Sequence, residues 1–247
     1  MRPVVVPFTL ILCATPRVGS TLAGALLASS GVAGIPESWY RAISRAAFAK
    51  GWGLRPGPDG QIDPAAYLCA ARAAGRTANG VGALRIQAPT LAPLLAELCV
   101  LFPDATSDRF LFERAFGPCR YLHIWREDLV AQAVSRLRAE QSGIWHLDDT
   151  PPDQPATAPA YDANRIASYL AEAEAGNAMW RHWFAANRLV PQTLTYEALA
   201  QAPVASVQSI LQALGLAAPA VLLHAPNQRL ADQTNADWAA RFRAERG

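Results

Sequence analysis

Leu10-Ile11-Leu12-Cys13-Ala14-Thr15-Pro16-Arg17-Val18-Gly19-Ser20-Thr21 carries an apolar run directly into a loop of small, hydroxylated and basic residues. The run 8–14 is short and bounded by Pro7 and Pro16, the pattern of a central parallel strand buried on both faces. Residues 21–30, TLAGALLASS, read as a helix whose small side chains allow close packing on a sheet, with Gly31 as its stop signal. A loop between such a strand and such a helix is the setting of an anion site: successive backbone N–H groups wrap the ligand, and the positive end of the helix dipole adds a favourable field. Arg17, Val18, Gly19, Ser20 and Thr21 are therefore the candidate anion-binding residues. Compared with G-x-x-x-x-G-K-[ST], Ala14 replaces the first glycine and Ser20 the lysine that would reach the β- and γ-phosphates of ATP. That disfavours ATP, while Arg17 offers a fork of donors suited to a phosphate or a transferring sulfuryl group. A structural loop with a capping hydroxyl is the bland alternative.

Outward from this unit, strands and helices alternate. Strands are expected at 32–35, 80–86, 119–125 and 189–195. Helices are expected at 64–74, 90–101, 107–116, 128–141 (Asp128 as N-cap), from Asp162 to about 187, at 204–214 and at 236–245. PESWYR (36–41) is expected as a loop, and the segment 148–160 is too rich in proline for regular structure. The alternation predicts an α/β fold with a central parallel β-sheet of P-loop type, flanked by helices on both faces, in a single domain spanning 1–247.

The composition is consistent with such a fold: 51% of the 247 residues are hydrophobic and only 17% charged. A net charge of +2, with Lys50 the only lysine, gives no case for a nucleic-acid partner. Four scattered cysteines form no CxxC pair, so neither a zinc site nor a disulfide framework is expected, and a reducing cytoplasm fits. Prolines interrupt the apolar N-terminus, which argues against a signal peptide, and no apolar run reaches the length of a membrane span, leaving peripheral membrane contact as the only membrane role.

The loop ATPRVGST resembles the 5′-phosphosulfate loop of sulfotransferases that use 3′-phosphoadenosine-5′-phosphosulfate (PAPS). More specifically, it resembles the bacterial carbohydrate sulfotransferases, a family that includes trehalose 2-sulfotransferase and lipopolysaccharide-type sulfotransferases. The resemblance runs nearly end to end through GVAGIPESWY (31–40), GVGALRIQ (80–87), LHIWREDLVAQAVS (122–135), EQSGIW (140–145) and RLADQTNADWAARFRAE (229–245). It implies a sulfotransferase moving a sulfuryl group from PAPS to a hydroxyl of a carbohydrate or glycolipid, with no metal, and it leaves room for a homodimer. By the same resemblance Arg126 and Ser135 hold the 3′-phosphate, in keeping with the position of Arg126 just past a strand end where open α/β sheets bind ligands. Arg229 occupies a basic position of the family's C-terminal segment. Arg17 and Arg85 are the cations expected at the sulfuryl group, and Glu37 the general base.

This sequence departs from the trehalose enzyme's pattern, which has glutamates where Ser38 and Ile35 stand, so Glu37 serves as base one residue out of register. His123 and His146 are the competing bases. On the acceptor side, Trp39, Tyr40 and Trp145 are candidates for a platform under a pyranose ring, with His146 beside them. Trp180, Trp183 and Phe184 recur at helical spacing and read as core or interface. Two other functions stay open: a P-loop small-molecule kinase, and a pseudoenzyme that binds PAPS or another nucleotide without catalysis.

Overall fold

The computed structural model describes residues 7–145, 159–217 and 233–246. Strand β1 (Thr9–Ala14) runs into helix α1 (Ser20–Ser29), and α2 (Ala42–Gly51) and α3 (Pro64–Ala74) precede β2 (Gly82–Gln87). Helices α4 (Ala88–Leu101) and α5 (Asp108–Phe116) lead to β3 (Cys119–Trp125), followed by α6 (Leu129–Ser142) and the long α7 (Ala163–Ala186). The chain then forms β4 (Gln192–Thr195), α8 (Tyr196–Gln201), α9 (Pro203–Ala213) and α10 (Gln233–Arg246). The expected caps Asp128 and Asp162 are in place, accepting from Ala131 and Arg165 N–H, and Ser107, read as the first residue of its helix, caps α5 by accepting from Phe110 N–H.

The four strands are parallel, in the order β2-β1-β3-β4. The chain leaves β1 for β2 on one side and later crosses to β3 on the other, so the strand order reverses at β1. In open α/β sheets the crevice beyond the carboxyl ends at such a reversal is where ligands bind. Register brings the relevant residues to one level there, with Ala14 opposite both Gln87 and Ile124.

Because β1 is covered on both faces, all six of its residues are buried. Leu10 and Leu12 face α1 and α9 in a cluster with Leu26, Val207 and Leu211. Ile11 and Cys13 face the opposite layer, where α3, α5, α7 and the segment before α2 supply an aromatic cluster that includes Trp39, Tyr40, Tyr67, Phe112, Trp180, Trp183 and Phe184. A third cluster joins α6, α7 and α10. Trp180 is fully buried and its Nε1 donates to Ala14 O at 2.9 Å, tying α7 to the end of β1.

Two expectations are corrected. Residues 32–35 are not a strand: Gly34 has φ 77°, and a Cβ there would stand 2.4 Å from the Gly82 carbonyl carbon. This stretch crosses against β2 as a glycine-dependent loop and carries residues 35–40 towards the sheet's carboxyl edge, with Ile35 N–H donating to Gly75 O and Arg85 N–H to Glu37 O. The strand expected at 189–195 is confined to Gln192–Thr195. Helices α2 and α8 were not anticipated. The Pro-rich segment lies almost wholly outside the described residues.

His123 on β3 is 7% exposed, and its ring sits 5.5 Å from that of Phe184. Burial, with Arg181 nearby, pulls its pKa down from 6.5 to about 4. The folded imidazole therefore stays neutral where the unfolded one takes up a proton, so the unfolded chain binds more protons between about pH 6.5 and 4. The resulting stability is fully present above pH 6.5 and lost as pH falls to 4. A shift of this size corresponds to about 3 kcal/mol. Urea denaturation at about pH 7 and about pH 4.5 should show that loss, and His123→Gln should flatten it. An equal loss in the variant would place its source elsewhere.

Candidate active site

The loop between β1 and α1 is held in an uncommon backbone shape. Arg17 has φ 69° and Gly19 φ 76°, both left-handed, and a Cβ on Gly19 would meet Tyr196 Cδ2 at 3.0 Å. Glycine is required at 19 on both counts. Helix α1 has no side-chain cap, so the N–H groups of its first turn, at Ser20 and Thr21, point out of the helix end as an anion site needs. Val18 is fully buried and anchors the loop. On the other side the Gln132 side chain, 2% exposed, donates from Nε2 to Thr15 Oγ1 at 3.0 Å and to Pro16 O at 2.7 Å.

Arg85 joins this loop to the segment carrying Glu37. It is 8% exposed and uses three guanidinium nitrogens: Nε donates to Ser38 Oγ at 2.8 Å, Nη1 to Thr21 Oγ1 at 2.7 Å, and Nη2 to Glu37 Oε1 at 2.8 Å. Burial lowers the pKa of this guanidinium, and the Glu37 carboxylate acts against that by stabilising its charge. Glu37 Oε1 also accepts from Ser38 N–H at 2.8 Å, while the carboxylate side chain is 44% exposed, so one oxygen is fixed and the group still reaches solvent. Ser38 is thus an Arg85 ligand. At the end of β2, Gln87 Nε2 donates to Ser20 Oγ at 3.1 Å.

Arg126 is 9% exposed and lies with its guanidinium 4.2 Å above the Tyr196 ring. Its Nε is 3.8 Å from Glu197 Oε1 and makes no hydrogen bond among the described residues. Burial lowers its pKa too. An incompletely satisfied buried guanidinium beside a strand end suits an anionic ligand. Ser135 is engaged elsewhere, accepting from Arg17 Nε at 3.1 Å, and Arg17 Nη1 donates to Trp145 O at 2.6 Å. Arg17 and Ser135, expected at the two ends of the cofactor, are therefore in direct contact.

Several expected residues do not gather here. Trp39 and Tyr40 are 8% and 6% exposed. Trp39 packs against Phe48 and Trp52, and Tyr40 against Tyr67 and Phe116. Their faces are taken up by other rings, which removes the sugar platform expected of this pair. His123 is separated by the sheet: Leu12 pairs with both Arg85 and Leu122 on the α1 face, whereas His123 pairs with Cys13 on the aromatic face. Trp145 is half-buried. His146 and Arg229 lie outside the described residues. Tyr196, Glu197, Gln132 and Gln87 were not singled out from the sequence. Among the described residues no three His, Cys, Asp or Glu side chains gather as a metal-ligand set.

A parallel sheet with an uncapped helix opening at its strand-order reversal has the layout of a P-loop-type α/β fold. The chain belongs to the Stf0 sulphotransferase family, whose model matches residues 9–245, and it is a sulfotransferase. It is 31% identical over 260 residues to the trehalose 2-sulfotransferase of Mycobacterium tuberculosis, covering 95% of this chain and 94% of that one. It is 30% identical over 267 residues to the protein of the same name from Mycolicibacterium smegmatis, covering 97% and 96%. Among solved structures it is similar in fold to the sulfotransferase domain of the Synechococcus PCC 7002 olefin synthase, at TM-score 0.51 and 16% identity over 97% of this chain and 88% of that one. It is also similar to the sulfotransferase domain of the curacin biosynthetic pathway, at TM-score 0.53 and 14% identity over 94% and 82%.

Arg85→Lys keeps a charge but cannot present three nitrogens to Thr21, Ser38 and Glu37. Losing charge-assisted bonds of this kind should cost about 1.5–3 kcal/mol in denaturant unfolding and lower transfer activity. Wild-type stability and activity in this variant would show that the junction does not organise the site.

Proposed function

We propose that the chain transfers the sulfuryl group of PAPS to a hydroxyl of a carbohydrate, within a single sulfotransferase domain of the cytoplasm. The observation that carries this reading is the Glu37–Arg85–Thr21 junction, which fixes one carboxylate to the first turn of the anion-binding helix. The relatives that cover almost the whole chain are named for a sugar acceptor, which supports the carbohydrate class. All four cysteines are free, in keeping with a reducing compartment, and no helix among the described residues is long and apolar enough to cross a membrane.

The residues present fit PAPS on three counts: uncapped helix amides at Ser20 and Thr21, a left-handed Gly19 that lets the backbone approach a ligand, and a buried Arg126 with an unpaired nitrogen. When bound, PAPS supplies an activated sulfuryl group whose bond to the 5′-phosphate oxygen breaks as the bond to the acceptor oxygen forms, the electron pair leaving on the phosphate.

Val18, Gly19, Ser20 and Thr21 hold the 5′ end through backbone and hydroxyl donors. Arg17 and Arg85 place positive charge where the sulfuryl and leaving oxygens gather negative charge, the arrangement expected to stabilise a charge-separated transfer most. Arg126 and Ser135 take the 3′-phosphate, with Tyr196 under the Arg126 guanidinium. Ser135 becomes available when Arg17 turns towards the ligand. Glu37 receives the acceptor proton on Oε2, since Oε1 is held by Arg85 and Ser38. In this reading Trp145 flanks the acceptor with His146 next to it in sequence, and Arg229, by family resemblance a cofactor residue, serves the donor; His146 and Arg229 lie outside the described residues.

Thermal unfolding with adenosine 3′,5′-bisphosphate should rise more than with ATP and Mg²⁺, because only a ligand that fits the native state stabilises it. A larger rise with ATP would overturn the donor assignment. Arg126→Ala should weaken the bisphosphate selectively relative to adenosine 5′-phosphate, and equal losses would remove the 3′-phosphate from Arg126. Glu37→Gln should leave bisphosphate affinity intact while reducing transfer roughly 10²-fold or more. Unchanged turnover would point to another base.

A further inference from the structure

Arg85 and Gln87 stand two apart on β2, opposite Leu12 and Ala14 of β1, and so project to the α1 face of the sheet. Each ends on a hydroxyl in the first turn of α1: Arg85 Nη1 donates to Thr21 Oγ1 at 2.7 Å, and Gln87 Nε2 to Ser20 Oγ at 3.1 Å. The first contact belongs to the junction with Glu37, and the second does not. We infer that Gln87 is a positioning residue for PAPS: by donating to the Ser20 oxygen it turns the Ser20 O–H towards the anion held at the opening of α1. The inference rests on the transferase reading above and adds a residue to it.

The Ser20 hydroxyl gives the first reason. A serine hydroxyl has one proton to donate and two lone pairs with which to accept. Ser20 is 4% exposed, its oxygen accepts from Gln87, and its proton goes to no acceptor among the described residues. Serine in a helix can bond back to the carbonyl four residues earlier. Here that carbonyl, Pro16 O, accepts from Gln132 Nε2 and not from Ser20. An anion at the opening of α1 supplies the missing acceptor, and a hydroxyl that already accepts a bond is a stronger donor to it.

Gln87 itself gives the second. It is the N-cap residue of α4, with Pro89 in that helix's first turn, yet its side chain makes no capping bond to α4. The amide turns to α1 instead, and its Oε1 is left buried without a partner among the described residues. A buried oxygen left unpaired is destabilising, so the bond to Ser20 is kept against that penalty and asks for a use beyond packing.

The rest of the loop gives the third, because its position is fixed by other groups. Gln132 holds Thr15 and Pro16 from α6, and Trp180 Nε1 holds Ala14 O from α7. Gly176 lets α7 lie against the loop, since a Cβ there would come within 2.7 Å of Thr15 Cγ2. Gln87 bonds only the hydroxyl, so its loss leaves the backbone amides of the loop where they are.

The test uses Gln87→Met, which is close in size and cannot donate, Gln87→Glu, which keeps the size and can only accept from Ser20, and Ser20→Ala, all in the full chain. Calorimetry measures the affinity for adenosine 3′,5′-bisphosphate, which carries the 5′ anion, and for adenosine 3′-phosphate, which lacks it. Both Gln87 variants should weaken the bisphosphate roughly 10-fold or more and keep adenosine 3′-phosphate within about 2-fold of the unaltered chain. Adding Gln87→Met to Ser20→Ala should weaken the bisphosphate no further than Ser20→Ala alone, because both residues act through one hydroxyl. Unchanged bisphosphate affinity in both Gln87 variants, equal losses with the two nucleotides, or additive losses in the double variant would each overturn the inference and leave the transferase reading standing. Failure of the unaltered chain to bind the bisphosphate would overturn that reading and the inference with it.

Discussion

A guanidinium taken out of water must find hydrogen-bond partners for its donors, and at Arg85 those partners come from three separate parts of the chain. Thr21 belongs to the helix that follows the anion loop, Ser38 and Glu37 to the loop that crosses from α1 to α2, and Arg85 itself to β2. Its burial makes the arrangement stringent: with any partner absent, a charged donor would be left unpaired inside the protein. The same contact that stabilises the carboxyl edge of the sheet thus places a carboxylate beside the anion loop. Gly34 supports it from below, since only glycine lets the crossing loop lie directly on β2.

Around this junction the structure supplies two further guanidinium groups. Arg17 donates to Ser135 Oγ and the Trp145 carbonyl, and Arg126 rests on the Tyr196 ring with the Glu197 carboxylate 3.8 Å from its Nε. The sheet then separates two environments. The α1 face carries Arg85 and helix α1, and the opposite face is an aromatic core that holds His123, its pKa lowered by burial.

Much of the fold was legible because short apolar runs bounded by proline or glycine mark buried parallel strands, and because Asp128 and Asp162 are strong capping residues. The bounds of β3 and α3 were read without error for that reason. The strand–loop–helix that carries Arg17 to Thr21 was legible as well, since an apolar run bounded by Pro16 leads there into small helix-forming residues. Residues 32–35 misled because their apolar character suits a strand, whereas the positive φ at Gly34 is imposed by contact with β2, a tertiary effect. Trp39 and Tyr40 misled because an aromatic beside a functional loop looks the same whether its ring faces ligand or core. The partners of Arg85, and the role of Gln132, depend on contacts between residues about 50 to more than 100 positions apart, which local pattern does not encode. Gly176 carried a usable signal: glycine inside a long helix costs about 1 kcal/mol relative to alanine, so its presence there points to a close approach.

The account stands on one arrangement, an anion held at α1 with Arg17 and a second anion held at Arg126. The most direct test is a crystal structure of the chain with adenosine 3′,5′-bisphosphate. It should show the 5′-phosphate on the backbone amides of Gly19, Ser20 and Thr21, the Arg17 side chain released from Trp145 O, and the 3′-phosphate bonded to Arg126 and Ser135. A 5′-phosphate bound away from the opening of α1, or a 3′-phosphate without contact to Arg126, would contradict it.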